Sequence, residues 1–282
     1  MITKEITLKE IISRIEDVPA LPHTVIKIIQ LTEDINSTVH DIERAALADQ
    51  SLTTKILRLA NSAYYGYPRR ISTISEATVL LGFQTVRSIA FNASVSNILD
   101  KELPGYALEK KALLRQSQSC AMLSRHIAKK VKFPKAENVF VAGLLRDIGK
   151  VILNYYLTEQ YQEIIQSVNS GNVSFLEAEA AILGFNHAQV GAKIAEKWNL
   201  PQELVEAIAY HHSPEGATVN PQMTAIVHVA DAIVMMMGIG LGIDGLNYQF
   251  SSRALELLNL KEDEVYQIIG EVTELFADED AY

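Results

Sequence analysis

The chain has 282 residues, 48% of them hydrophobic and 21% charged, with a net charge of −9 at pH 7. That is a globular composition, long enough for one large core or two smaller ones, and it excludes a disordered tail. The acidic balance argues against general binding to nucleic acid or an anionic membrane, which needs a local excess of Lys and Arg, and the single cysteine, Cys120, excludes an intrachain disulfide or a cysteine zinc cluster.

The N-terminus, MITKEITLKEI, alternates charged and apolar residues and lacks the apolar core of a signal peptide. Pro22 then reads as the first-turn proline of a helix whose buried face carries Val25, Ile28 and Ile29. Ser37 or Thr38 caps the next helix, with Ile42, Ala45 and Ala46 as its stripe. In DQSLTTKILRLANSAYYG, the residues Leu52, Ile56, Leu57 and Leu59 form one core face, and Asn61 and Ser62 can satisfy the backbone groups at the helix end. Gly82, Gly184 and Gly216 stand at predicted helix ends, and Pro201 opens PQELVEAIAYHH. Strand-like alternation is nearly absent, so the expected fold class is all-α, with about fourteen helices and short connections.

The polar stretch ILDKELPGYALEKK, with Pro104 and Gly105, marks a boundary between an N-terminal helical subdomain, 1–104, and a second, 105–282. The densest basic stretch, Lys129, Lys130, Lys132 and Lys135, reads as a solvated helix end. The run AIVMMMGIGLGI, 232–243, is shorter than the roughly 18 residues of a membrane span. Its glycines follow a helix rather than a strand, unlike a dinucleotide loop. The expected protein is soluble and cytoplasmic, and its last residues, ADEDAY, read as frayed.

Several of these motifs together resemble the HDOD domain, a bacterial signalling module related to the HD phosphohydrolases. VPALPHTVIKIIQL with Leu21 and Pro22, the run from Asp49 to Gly66, and a looser I-S-x-A-x-x-L-L-G follow one another in the family's order. The resemblance implies a two-lobed multi-helix bundle with an HD-like C-terminal lobe. Gly66-Tyr67-Pro68 spells the tripeptide of a cyclic di-GMP phosphodiesterase branch, but it precedes the histidines instead of following them, and reads as coincidence.

In the HD core, His and Asp residues from separate segments converge on a helical interior. Matched one position at a time, Gln116 in LLRQSQSCA stands where the first histidine ligand is expected. Arg146 in GLLRDIGK replaces the second, followed by Asp147 and Lys150, and HVADAI keeps Asp231. Arginine presents only donors and cannot coordinate a cation. The degenerate site is therefore Gln116, Arg146, Asp147, Lys150 and Asp231, in which the guanidinium would supply to the two aspartates the charge that a metal otherwise brings. In binuclear relatives, a second ion is held by the same aspartate and later histidines, and here Asp147, His187, His211 and His212 all remain. That set suits Fe, Mn, Ni or Zn. The leading expectation is no cofactor, and the alternative is one divalent ion on this cluster; His187 is also readable as a packing histidine and the His211–His212 doublet as a helix end.

What the resemblance implies for function is a noncatalytic regulatory scaffold. It would act through contacts with signalling proteins, beside nucleotide second-messenger pathways and without nucleic acid. Tyr64, Tyr65, Tyr67, Arg69 and Arg70 are the candidate contact surface, since aromatics and arginine favour interfaces. One alternative is a metal-dependent phosphohydrolase or phosphodiesterase using the Asp/His cluster. Another is a nucleotide or phosphorylated-ligand binding module with Arg146 and Lys150 as phosphate contacts.

Overall fold

The computed structural model describes residues 8–16, 18–171, 173–240, 242 and 250–277. The N-terminal heptapeptide, most of ADEDAY, and parts of the apolar run after 240 lie outside the described residues. The fold is all-α: among the described residues, the only strand-like pairing is an isolated bridge between Leu103 and Leu108. No described helix is long and apolar enough to cross a membrane.

Contacts divide the chain into two units, with Ala20–Asn97 and the end from Gln267 in one, and the segment up to Pro19 with Ile98–Tyr266 in the other. The first helix, α1 (Leu8–Ile15), thus belongs with the larger unit. It packs on helices that follow far along the chain.

The smaller unit contains α2 (His23–Glu33), α3 (Val39–Leu47), α4 (Gln50–Ala60), α5 (Ile74–Leu81) and most of α6 (Phe83–Leu99). Val25, Ile28, Ile42, Ala46, Leu52, Ile56, Ile74 and Ile89 are buried, one helical stripe from each element. Thr38 rather than Ser37 caps α3, because Asp41 three residues on completes a reciprocal capping box. Asn61 closes the loop after α4 on itself: its Oδ1 accepts the Ile71 N–H at 2.8 Å, and its Nδ2 donates to Leu57 O at 2.7 Å and Ile71 O at 2.8 Å. That staple presents the tyrosine and arginine segment 62–70.

The larger unit holds α7 (Ala112–Lys130), α8 (Ala136–Leu145), α9 (Gly149–Gly171), α10 (Phe175–Leu183), α11 (His187–Lys197), α12 (Gln202–Tyr210), α13 (Pro221–Met236), α14 (Ser252–Leu258) and the start of α15 (Glu262–Ala277). Every residue of α13 from Met223 to Met235 is buried. A helix apolar on all sides belongs at the centre of a unit. Gly143 lets α8 close on α7, since a Cβ there would stand 2.6 Å from Ser124 Oγ and 3.0 Å from Cys120 O. Lys129, Lys130 and Lys132 are exposed at the end of α7, and Lys135 pairs with Glu203 at 3.0 Å.

The loop leading into α13 is pinned by one buried carboxylate. Glu206 on α12 accepts backbone N–H groups from Thr218, Val219 and Asn220. Burial alone would raise its pKa; the amides outweigh burial and hold it below the ordinary glutamate value. The charged form is therefore favoured by folding, so this stabilisation is full at neutral pH and lost as pH falls through the glutamate range. Glu206→Gln is expected to cost about 1–3 kcal/mol at neutral pH, read by urea denaturation, and the gap from wild type should narrow in acid. Equal stability at neutral pH would contradict this role.

Candidate functional site

Helix α8 ends at Leu145 with Arg146 as its C-cap, and α9 begins at Gly149, so Arg146 and Asp147 emerge together from one tight corner. Gly149 is where α9 meets α11: a Cβ there would lie 1.9 Å from His187 O and 2.7 Å from Gly191 N. Gly191 in turn faces Ile208 of α12, with a Cβ position 3.0 Å from its Cγ2. Glycine at both positions lets three helices approach closely enough to bring Lys150, His187 and the α12 C-cap residue His211 around Asp147.

Arg146 is fully buried, at 0% exposure. Its Nε bonds to Asp231 Oδ1, one terminal nitrogen stands 3.1 Å from Asp147 Oδ2, and the other donates to Gly143 O at 3.2 Å. Burial works against the charged guanidinium, but Asp231 and Asp147 more than offset it, and the group stays protonated. Cys120 lies beside this pair, and burial, reinforced by both aspartates, pushes its thiol up to about 12. The two carboxylates thus enclose an organic cation where an inorganic one would need their lone pairs.

The other oxygen of Asp147 faces a different set of groups. Oδ1 lies 3.0 Å from Lys150 Nζ, 3.2 Å from His187 Nε2 and 3.7 Å from His211 Nε2. These are ion-pair approaches without hydrogen-bond geometry, so Oδ1 is held electrostatically at the centre of the cluster. Burial opposes charge on Asp147, yet Lys150 and Arg146 hold its carboxyl well below the usual range.

The histidine tautomers follow from their outer partners. His211 Nδ1 is 2.8 Å from Ile208 O, and since a carbonyl only accepts, Nδ1 carries the proton, so that in the neutral ring Nε2 is the bare nitrogen. That bare nitrogen is buried without a hydrogen-bond partner among the described residues. His187 Nδ1 is 2.7 Å from Glu179 Oε2, which again directs Nε2 inward, 2.9 Å from His212 Nε2. Burial works against protonation of His187, but Glu179 and Asp147 push its pKa up to about 9. Burial, then His211 and His187, hold His212 well below the usual imidazole value.

One donor atom from each of Asp147, His187, His211 and His212 lies within 4.8 Å of the others. Cis ligands about 2.1 Å from a common ion are themselves ~3 Å apart, close to the 2.9 Å between the His187 and His212 nitrogens. An orphaned Nε2, a carboxylate oxygen facing the three imidazoles and two outer partners that fix tautomers fit a divalent ion. Asp147, His187 and His211 are buried, and only His212 has partial exposure.

The HDOD domain family matches residues 18–214 of the chain. The chain belongs to the HDOD family. This HDOD chain is 24% identical to an HDOD domain protein of Geobacter sulfurreducens, with a TM-score of 0.76 over 98% of this chain and 97% of that one. It shares 22% identity with a candidate phosphohydrolase of Shewanella amazonensis SB2B, with a TM-score of 0.73 over 96% and 94% of the two chains. An uncharacterized protein of Treponema pallidum (strain Nichols) is 26% identical over 204 residues, which are 72% of this chain but 39% of that protein.

Within this HDOD fold, Arg146, Asp147, Lys150 and Asp231 meet in one buried network continuous with His187, His211 and His212. Gln116 is also fully buried, but its Nε2 reaches Met235 Sδ at 3.0 Å, one turn beyond Asp231 on α13, and its Oε1 has no partner among the described residues. A phosphate-contact role for Arg146 and Lys150 does not fit, because both are buried with their charges directed at carboxylates. Of the candidate contact residues, Tyr67, Arg69 and Arg70 are exposed, whereas Tyr64 and Tyr65 are half-buried and pack edge to face at 5.1 Å. Sequence reasoning missed Glu179 and Tyr106, whose hydroxyl bonds to the Glu179 carboxylate.

Proposed function

We propose that this HDOD chain is a noncatalytic signalling domain acting through protein contacts, with one divalent ion on Asp147, His187, His211 and His212 and the Arg146 guanidinium in place of a second. The observation that carries the reading is the position of Arg146. A binuclear hydrolytic site needs both oxygens of the shared aspartate for metal, and here Asp147 Oδ2 faces a guanidinium. With Asp147, His187 and His211 closed from solvent, the remaining half-site suits holding an ion more than exposing it to a substrate. Family membership supports a signalling role, and the exposed Tyr67, Arg69 and Arg70 remain the candidate contact surface.

The second reading is a phosphohydrolase in which a single ion activates water. It is favoured by the partial exposure of His212 and by the fold shared with the Shewanella protein. The full chain, incubated with Mn(II) or Fe(II) and with bis(p-nitrophenyl) phosphate or cyclic dinucleotides, distinguishes the two. No turnover above the metal blank is expected; turnover abolished by Asp147→Ala would overturn the noncatalytic reading.

A further inference from the structure

Helix α11 begins with His187 and holds other parts of the chain at both of its ends. At the first, Glu179 Oε2 accepts from His187 Nδ1 at 2.7 Å and from the His187 backbone N–H at 3.1 Å, while Glu179 Oε1 accepts from the Tyr106 hydroxyl. Tyr106 is fully buried, with its ring 5.3 Å from that of Phe175 and 5.7 Å from Lys150 Nζ. It closes the 3-10 turn Pro104–Tyr106, which is held by the Leu103–Leu108 bridge and by Asn154 Oδ1, an acceptor for the Gly105 N–H at 2.8 Å. At the far end, Lys197 Nζ donates to Ile15 O and Glu16 O at 2.8 Å and Val18 O at 3.1 Å, and Trp198 Nε1 donates to Pro19 O at 3.2 Å. The two gripped segments lie near two of the three points where the chain passes between units, Pro19–Ala20 and Asn97–Ile98; the third is Tyr266–Gln267.

We infer that Glu179 and Tyr106 are positioning residues of the metal centre, and that occupancy of the centre orders the 103–108 turn through the chain His187–Glu179–Tyr106. The inference rests on the metal reading above. A carboxylate on the outer nitrogen of a ligand histidine fixes its tautomer and ring orientation and raises its basicity. The Tyr106 hydroxyl engages the other oxygen of that carboxylate, which limits rotation of Glu179 away from His187. An ion that immobilises the His187 ring therefore restricts Glu179, and with it the turn that carries Tyr106. By linkage, whatever orders or loosens that turn changes the affinity for the ion by the same factor. A centre with no substrate role would in this way report on, or respond to, the chain passage near Ile98.

The test uses the full chain and Co(II), followed by its visible absorption and by hydrogen exchange. Glu179→Gln is expected to weaken Co(II) binding about 10–100-fold, and Tyr106→Phe, which keeps the ring, to weaken it by a smaller factor. In wild type, Co(II) should raise protection of the Leu103, Tyr106, Ala107 and Leu108 amides, all of which donate within this turn. At saturating Co(II), Tyr106→Phe should lose that gain while keeping the absorption bands; if the phenylalanine variant fails to fold, Glu179→Gln carries the same comparison. Co(II) bound with no change at 103–108, or variants indistinguishable from wild type, would overturn this inference alone. Wild type that binds no Co(II) would remove it together with the metal reading.

Discussion

Arg146→Ala is expected to lower the unfolding free energy by about 3–5 kcal/mol. The guanidinium has 0% exposure and faces Asp231, Asp147 and Gly143 O at once. Alanine would leave buried Asp231 without its guanidinium partner and Asp147 with Lys150 as its remaining lysine or arginine partner among the described residues. Since domains are stable by only about 5–15 kcal/mol, this single change would remove a large share. Adding Asp231→Asn should recover part of the loss, because it removes one of the uncompensated charges, and urea denaturation of both variants measures the coupling. A midpoint equal to wild type would mean that the arginine does not bind the aspartates in solution.

The second large effect is stabilisation by metal. An ion that binds only the folded chain contributes RT ln(1 + [L]/Kd), or about 4 kcal/mol at a thousandfold excess over Kd. Wild type should therefore melt at a higher temperature with Mn(II), Zn(II) or Co(II) than with a chelator. In His211→Ala that increment should vanish. In the absence of metal, the variant should lose less, since among the described residues the His211 ring hydrogen-bonds to Ile208 O and its Nε2 has no hydrogen-bond partner. Equal increments in both proteins would remove His211 from the ligand set.

The helices were legible in the sequence because their signals are local. A threonine with an aspartate three residues on caps α3, and Val25 with Ile28 marks the inner face of α2. The placement of α1 was less so, because it reaches the larger unit through Lys197, far along the chain, and no local signal encodes that contact. The ligand candidates come from three separated segments that spacing alone does not bring together; their motif order, matched to a family, singled them out. Glu179 shows what such matching leaves out. It lies two residues from Glu177, which completes a capping box with Ser174 at the surface, whereas Glu179 is fully buried on His187. Nothing in the run LEAEAA separates a capping glutamate from a buried one; only the packing of α10 against its neighbours does. Arg146 was conspicuous because it stands where the resembling motif places a histidine ligand, and an arginine cannot coordinate a cation.

The proposed site is divided, with Arg146 closing one half and Asp147, His187, His211 and His212 proposed to hold one ion in the other. The most direct measurement is metal stoichiometry: chelator-treated full chain is reloaded with Co(II), excess is removed, and bound metal is counted by elemental analysis for wild type and His211→Ala. One ion per chain in wild type and none in the variant is the predicted result. Two ions per chain would show that Arg146 does not fill the first half, and none in wild type would show that the histidine cluster is held by protons alone.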